Sequence, residues 1–194
     1  MTASSATEGE GACAGDSGSP RPGILLDRDG TIIVDSGYVG SVDRVEFIAG
    51  AAEAIARFNQ AGIPVAVVTN QAGIARGYYD VATFDRLTRW MELQFSQAGA
   101  PLAGVYYCPH HPDGTVVTLR KICDCRKPAP GLILTAQREL GIDLQHSFLI
   151  GDKLSDIEAG RAAGVGACFL VGPDGGAGFD DVVKRVRQHN TRAS

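Results

Sequence analysis

The segment that most constrains this structure reads Ile24-Leu25-Leu26-Asp27-Arg28-Asp29-Gly30-Thr31. A short apolar run ends in two carboxylates one residue apart, and a Gly-Thr turn follows at once. Side chains at positions i and i+2 of an extended strand point the same way, so we expect Asp27 and Asp29 to share one small volume. Two crowded acids repel unless a cation lies between them or one of them holds a proton. The pattern indicates metal binding or nucleophile-plus-acid chemistry, although Asp and Gly also end ordinary strands.

Short apolar runs alternate with longer segments of helical spacing along the rest of the chain. The runs predict strands at 24–26, 63–68, 102–107, 147–150 and 167–171. The intervening segments predict helices at 51–60, 81–97, 131–140, 154–163 and near 180–187. Strands separated by helices of this length are typical of βαβ units. The sequence therefore predicts an α/β fold with a three-layer, Rossmann-like, mostly parallel sheet.

Length and composition fit one folded domain preceded by a polar tail. The chain has 194 residues, and its hydrophobic content of 44% supports a full core. Residues 1–22 are mainly Ala, Ser, Gly, Thr, Glu and Pro, so we expect a disordered tail in which Cys13 is incidental. The folded domain is accordingly expected to span 23–194.

Charge and hydropathy argue against several classes of partner for this chain. The formal net charge is −4, and no block of Lys or Arg offers a surface for nucleic acid or for a membrane. The apolar runs are too short to span a bilayer, and no charged leader precedes an apolar segment. We therefore expect a cytoplasmic, monomeric protein whose partner is a small molecule.

Chemically useful side chains follow the predicted strands where ligands bind in open parallel sheets, outside the carboxyl ends. Four strand ends bring two acids, a hydroxyl with amides, two cations and a third acid to one edge: Asp27 and Asp29; Thr69, Asn70 and Gln71; Arg126 and Lys127; Asp152. Stability alone gives no reason to collect such groups at one edge. The sequence therefore predicts a polar active site there.

The acids and the cation of this edge suit phosphoryl transfer. Asp27, Asp29 and Asp152 offer the hard oxygen ligands that Mg²⁺ prefers. A carboxylate can act as a covalent nucleophile, and a second acid two residues on can protonate a departing alcohol. Thr69 and Lys127 can hold the oxygens of the transferring group.

Structural explanations remain open for each residue taken alone. Thr69 with Asn70 could cap the next helix, and Lys127 could be a solvated loop residue. Asp152 and Asp156 both favour the start of a helix, so one of them could be merely a helix-terminal acid. Of these two we predict Asp152 as the metal ligand.

A second constellation lies in the long loop 108–126. Cys108, His110, Cys123 and Cys125 supply three thiols and an imidazole, the donor set of a structural Zn²⁺ site with every position filled by protein. Buried free thiols are the alternative, and His111 is the alternative imidazole ligand. The one-residue gaps are tighter than usual zinc spacings, but a loop rich in Pro, Asp and Gly has little core in which to bury thiols.

These motifs resemble the haloacid-dehalogenase (HAD) superfamily of phosphatases, and more narrowly its heptose bisphosphate phosphatases. The likeness covers nearly all of the chain after the tail. It rests on LDRDGT (26–31), DSGYV (35–39), VTNQAGIARG (68–77), YCPHHPDG (107–114), CDCRKP (123–128) and IGDK (150–153). The resemblance implies a HAD-like fold with a zinc-bound loop insertion and no large cap domain.

The resemblance also implies roles for individual residues. Asp27 would be the nucleophile and Asp29 the general acid and base. Magnesium would be held by Asp27, Asp152 and the backbone carbonyl of Asp29, while Thr69 and Lys127 would stabilise the phosphoryl group. The implied reaction removes the phosphate at carbon 7 of D-glycero-D-manno-heptose 1,7-bisphosphate and keeps the anomeric one. The implied substrate contacts are Asp35, Ser36, Gly37, Tyr38, Asn70, Gln71, Ala72, Arg126 and Lys153.

Two other functions compete with this interpretation. Histidinol-phosphate phosphatases resemble the chain in their acids and zinc loop, but that loop is shorter in them and the Ser-Gly-Tyr-Val segment is missing. A non-catalytic, zinc-stabilised interaction module would have lost Asp27, Asp29 or Lys127, and all three are present.

Overall fold

One parallel sheet organises the protein, of which the computed structural model describes residues 21–172 and 178–192. Its strands are β1 Ile24–Leu26, β2 Val65–Asn70, β3 Gly104–Cys108, β4 Phe148–Gly151 and β5 Ala167–Leu170. They lie in the order β3-β2-β1-β4-β5, and all four pairings are parallel. The central strand β1 therefore carries its two following acids to the middle of the carboxyl edge.

Helices cover both faces of this sheet. Their bounds are α1 Ala51–Gln60, α2 Ala72–Ala75, α3 Val81–Gln97, α4 Gly131–Leu140, α5 Leu154–Ala163 and α6 Phe179–Arg192. Ile24 and Leu26 pack in one buried cluster with residues of α1, α3 and α6, whereas Leu25 packs in another with residues of α4 and α5. Alternation along β1 thus supplies both cores, and the predicted three-layer arrangement is confirmed.

Some element bounds differ from the prediction for a backbone reason. Strand β2 was predicted to end at 68, but Thr69 and Asn70 pair with Tyr107 and Cys108 and extend the ladder. The prediction missed this extension because it followed hydrophobicity, and the side chains of Thr69 and Asn70 are polar. Helix α2 was missed, since four residues are too few to show a helical period.

The predicted tail lies largely outside the described residues, which begin at Arg21. Arg21 forms a parallel bridge with Ile142. The segment between β1 and β2 contains a 3₁₀ turn, Val42–Arg44, and α1, and no separate cap domain is inserted there. Within the described ranges, none of the helices combines the length and apolar character needed to cross a membrane.

Candidate active site

A buried ion-pair cluster lies at the carboxyl end of β1. The Lys127 ammonium donates to Asp27 Oδ1 at 2.7 Å and to the Val68 carbonyl at 2.7 Å, and it lies 2.6 Å from Asp156 Oδ1. The Lys127 side chain is only 2% exposed, so it is not a solvated loop residue. Burial alone would lower the pKa of Lys127, but the carboxylates of Asp27 and Asp156 outweigh it and raise that pKa above its ordinary value. Lys127 therefore stays charged and neutralises part of the acidic cluster.

Asp27, Asp152 and Asp156 each direct a carboxylate oxygen into this cluster, and these oxygens lie within 4.8 Å of one another. Asp152 Oδ1 is buried and has no hydrogen-bond partner among the described residues. Burial raises the pKa of Asp152 to about 6; Lys153 opposes the shift, while the charges on Asp27 and Asp156 add to it. Three acids and one lysine leave net negative charge in a confined space. This set of carboxylate oxygens, with its uncompensated negative charge, fits a divalent cation such as Mg²⁺.

Asp156 has two structural contacts that the sequence did not reveal. Its Oδ2 accepts the backbone N–H of Lys153 at 3.0 Å at the start of α5, and its Oδ1 pairs with Lys127. A Cβ atom at Gly151 would lie 2.5 Å from the Asp156 side chain, so glycine permits this close approach. Asp156 thus links the end of β4 to Lys127. A spacing of four from Asp152 is the signal that pointed to it, without distinguishing its role.

Asp29 lies beyond the end of β1, and the prediction that it shares one small volume with Asp27 stays a prediction. Strand β1 ends at Leu26, so the strand rule for alternate side chains no longer applies at Asp29. Its carboxylate accepts a fork from Arg28, with Nε at 3.0 Å from Oδ2 and a terminal nitrogen at 2.8 Å from Oδ1. Gln71 Nε2 donates to Asp29 Oδ2 at 2.9 Å. These three hydrogen bonds fix the Asp29 carboxylate, which is not one of the grouped acids Asp27, Asp152 and Asp156.

The residues that end β2 hold other parts of the site. Asn70 exchanges two hydrogen bonds with the Lys127 backbone, both at 3.0 Å. Gln71 is 2% exposed; its Nε2 donates to Thr69 Oγ1 at 2.8 Å, and its Oε1 accepts from the Tyr79 hydroxyl at 2.7 Å. The side chains of Asn70 and Gln71 thus bind protein groups, and their predicted contact with substrate stays a prediction. The next predicted contact, Ala72, begins α2.

The predicted substrate segment Asp35–Tyr38 lies at the mouth of the cluster. Lys153 Nζ donates to Asp35 Oδ2 at 3.0 Å and lies 3.7 Å from Asp152 Oδ2. Arg44 donates to the carbonyls of Ser36, Gly37 and Tyr38, which fixes the shape of the segment. A pocket of about 450 Å³ adjoins it, lined by Gly37, Tyr38, Gly40, Ser41, Arg44, Tyr78, Tyr79 and Thr83.

The four predicted zinc ligands converge in the loop between β3 and α4. Cys125 Sγ lies 3.1 Å from Cys108 Sγ and 3.3 Å from Cys123 Sγ, and His110 Nδ1 lies 3.3 Å from Cys125 Sγ. Four ligands around one zinc at about 2.3 Å would be separated by roughly 3.8 Å, so modest opening would admit the metal. His111 does not join the cluster, because its Nε2 lies 3.3 Å from Arg76.

Arg126 follows the last cysteine directly and stays tied to this loop. Its guanidinium donates to the His110 carbonyl at 3.4 Å. The next residue, Lys127, enters the acidic cluster. Only Arg126 therefore separates the cysteine cluster from the lysine that enters the acidic cluster.

Curated relatives match most of the chain. The D-glycero-beta-D-manno-heptose-1,7-bisphosphate 7-phosphatase of Photorhabdus laumondii is 51% identical over 150 residues, which are 77% of this chain and 80% of the relative. The enzyme of the same name from Escherichia coli K12 is 50% identical over 150 residues, or 77% of this chain and 78% of the relative. This chain belongs to the heptose-1,7-bisphosphate 7-phosphatase family. The predicted resemblance is confirmed.

A solved structure in the heptose-1,7-bisphosphate 7-phosphatase family supports the fold. The D,D-heptose 1,7-bisphosphate phosphatase of B. bronchiseptica, complexed with magnesium and phosphate, matches with a TM-score of 0.74 and 34% identity. The match covers 86% of this chain and 98% of that one. A HAD-hydrolase-like family model also matches residues 124–173. The prediction of a HAD-like hydrolase fold is therefore confirmed.

Proposed function

We propose that this chain is a magnesium-dependent phosphatase that removes the C7 phosphate of D-glycero-D-manno-heptose 1,7-bisphosphate through an aspartyl-phosphate. The observation that carries the proposal is the buried Asp27 carboxylate at the end of β1, 2.7 Å from the Lys127 ammonium and beside the unpartnered Asp152 oxygen. The names of the relatives supply the substrate, and the magnesium and phosphate bound by the B. bronchiseptica enzyme support the cofactor.

The reaction has two steps on this arrangement. In the first, Asp27 attacks phosphorus, the bond to the C7 oxygen breaks, and Asp29 gives its proton to that oxygen. In the second, Asp29 takes a proton from water, the water oxygen attacks phosphorus, and the bond to Asp27 breaks. These steps release heptose 1-phosphate and inorganic phosphate and restore the Asp27 carboxylate and the protonated form of Asp29.

Charge neutralisation falls to the groups around the attacked phosphorus. Magnesium, held by Asp27, Asp152 and the Asp29 carbonyl, would offset negative charge on the phosphoryl oxygens. Lys127 supplies a fixed cation next to the nucleophile. Gln71 donates to the Thr69 hydroxyl oxygen, which leaves the Thr69 proton free to donate to a phosphoryl oxygen.

The rest of the substrate faces the mouth of the site in this proposal. Lys153 is about half exposed and lies between Asp35 and Asp152, where it can attract an anionic sugar phosphate. Arg126 adds a second cation from the zinc loop. The Asp35–Tyr38 segment offers carboxylate and backbone groups to sugar hydroxyls.

A phosphate-release assay tests the proposed substrate. The enzyme with Mg²⁺ is given both anomers of heptose 1,7-bisphosphate and, in parallel, histidinol phosphate. We expect one phosphate per heptose bisphosphate, with the anomeric phosphate retained in the product as seen by phosphorus NMR. A higher kcat/KM for histidinol phosphate, or loss of the anomeric phosphate, would contradict the proposal.

Gly30→Ala is expected to damage the magnesium site through Asp152. Gly30 has φ +85°, and a Cβ atom there would lie 2.2 Å from Asp152 Oδ2, so the carboxylate must move. Displacements of about 1 Å can cost roughly 10²-fold in rate. We expect a fall of about this size in kcat, with more Mg²⁺ needed for half-maximal activity.

Gly141→Ala is the matched control for backbone strain. Gly141 also has a positive φ, +62°, but nothing lies within 4 Å of its added Cβ. Each substitution costs about 1–2 kcal/mol of unfolding free energy through strain. If the two variants lose equal stability and Gly30→Ala keeps its magnesium response, the predicted role of Gly30 is wrong.

The cysteine cluster is proposed to hold one structural zinc. Metal analysis should find about one zinc per chain, and Cys125→Ser should lose it. Hydrogen exchange should then rise in the loop 108–127 more than in the sheet, because few apolar contacts order that loop. Cys168→Ser is the control, since Cys168 lies in β5 outside the cluster. Full zinc content in Cys125→Ser would contradict this assignment.

A further inference from the structure

A hydrogen-bonded relay connects Tyr79 with the proposed general acid. The Tyr79 hydroxyl donates to Gln71 Oε1 at 2.7 Å, and Gln71 Nε2 donates to Asp29 Oδ2 at 2.9 Å and to Thr69 Oγ1 at 2.8 Å. We propose that Tyr79 is a positioning residue that fixes the orientation of the Gln71 amide and, through it, the orientation of the Asp29 carboxylate. This inference rests on the proposed role of Asp29.

The orientation of the Gln71 amide decides which of its groups faces Asp29. Asp29 Oδ2 accepts two donors, Arg28 Nε and Gln71 Nε2, whereas Oδ1 accepts one, a terminal nitrogen of Arg28. The Arg28 and Gln71 donors together fix the plane of the carboxylate and leave Oδ1 with fewer donors than Oδ2. A reversed Gln71 amide would present Oε1 to Asp29 and would bind the acid proton instead of leaving it for the departing oxygen.

Tyr79 opposes this reversal because it donates its hydroxyl proton to Gln71 Oε1, and a reversed amide could bind the same oxygen only if that proton turned away. Gly40 and Gly73 hold its ring, since a Cβ atom at these positions would lie 2.3 and 2.6 Å from ring atoms. Burial raises the pKa of Tyr79 to about 12, so the hydroxyl remains a donor in the neutral range. The ring, the hydroxyl and the Gln71 amide are thus fixed as one unit.

Tyr79→Phe tests the relay because it removes the hydroxyl and keeps the ring between the two glycines. Wild type and variant are compared on heptose 1,7-bisphosphate, whose alkoxide leaving group needs a proton, and on 4-nitrophenyl phosphate, whose leaving group does not. General acid catalysis contributes about 10²–10⁴-fold, so partial misorientation should lower kcat on the sugar phosphate by about tenfold. KM should stay within about twofold, and kcat on the aryl phosphate should fall by less than about twofold.

Tyr107→Phe is the control, since its hydroxyl approaches Asp85 and takes no part in the relay. It should leave both activities unchanged. Equal losses on the two substrates in Tyr79→Phe, or no loss on either, would overturn the inference.

A wild-type enzyme inactive on heptose bisphosphate would contradict the proposed substrate. The comparison is then made with an alkyl phosphate that the enzyme does hydrolyse. An enzyme that hydrolyses no alkyl phosphate would overturn both proposals.

Discussion

Asp27→Asn is expected to lower kcat/KM by at least about 10⁴-fold, the scale of loss when a covalent nucleophile is removed. The amide nitrogen and carbonyl of Asn cannot form the acyl phosphate. The fold should survive, because Lys127 keeps its contacts with Asp156 and with the Val68 carbonyl. Phosphate release and far-UV circular dichroism measure the two expectations.

Two further measurements separate chemistry from folding in this variant. Zinc content should remain at the wild-type value, since Asp27 lies outside the cysteine cluster. Asp181→Asn is a matched surface control, because Asp181 is a well-exposed residue of α6. It should retain full activity. Activity of Asp27→Asn near that of wild type would refute the nucleophile assignment.

The sheet and most helices could be predicted because apolar spacing specified them. The predicted bounds of α1, α3, α4 and α5 coincide with the observed ones. The ends of the strands could not be located in this way, since the ladder of β2 continues through Thr69 and Asn70. Hydrogen bonding of the backbone, rather than burial of side chains, sets those ends.

In the candidate site, too, the sequence predicted which residue types come together but not all of their side-chain contacts. The residue types and the predicted strand ends together placed Asp27, Lys127 and Asp152 at one site, because parallel strands align their carboxyl ends. The path of the chain after Leu26 turned Asp29 toward Arg28 and Gln71, which no periodicity foretold. Long-range contacts of this kind depend on side-chain packing across several loops and leave no local signal.

Lys127→Met is expected to damage both stability and activity. Without the ammonium, Asp27, Asp152 and Asp156 keep their acidic oxygens within 4.8 Å of one another. Asp27 and Asp156 then lose the buried cation with which both form ion pairs. Breaking a buried ion pair by removing one partner costs about 3–5 kcal/mol of unfolding free energy. Loss of a preorganised cation at the phosphoryl group should lower kcat by about 10²–10³-fold.

The size of this stability loss should depend on metal and on a second substitution. Added Mg²⁺ should restore part of the unfolding free energy of Lys127→Met, because a ligand that binds only the folded state stabilises it. Adding Asp156→Asn should also restore part of it, since one unpaired carboxylate disappears. Urea titrations of the single and double variants, with and without Mg²⁺, measure both effects. Lys184→Met, at an exposed lysine of α6, should unfold like wild type. If Lys127→Met also unfolded like wild type, the Lys127 ammonium would not stabilise the three acids. The electrostatic basis of the proposed site would then be wrong.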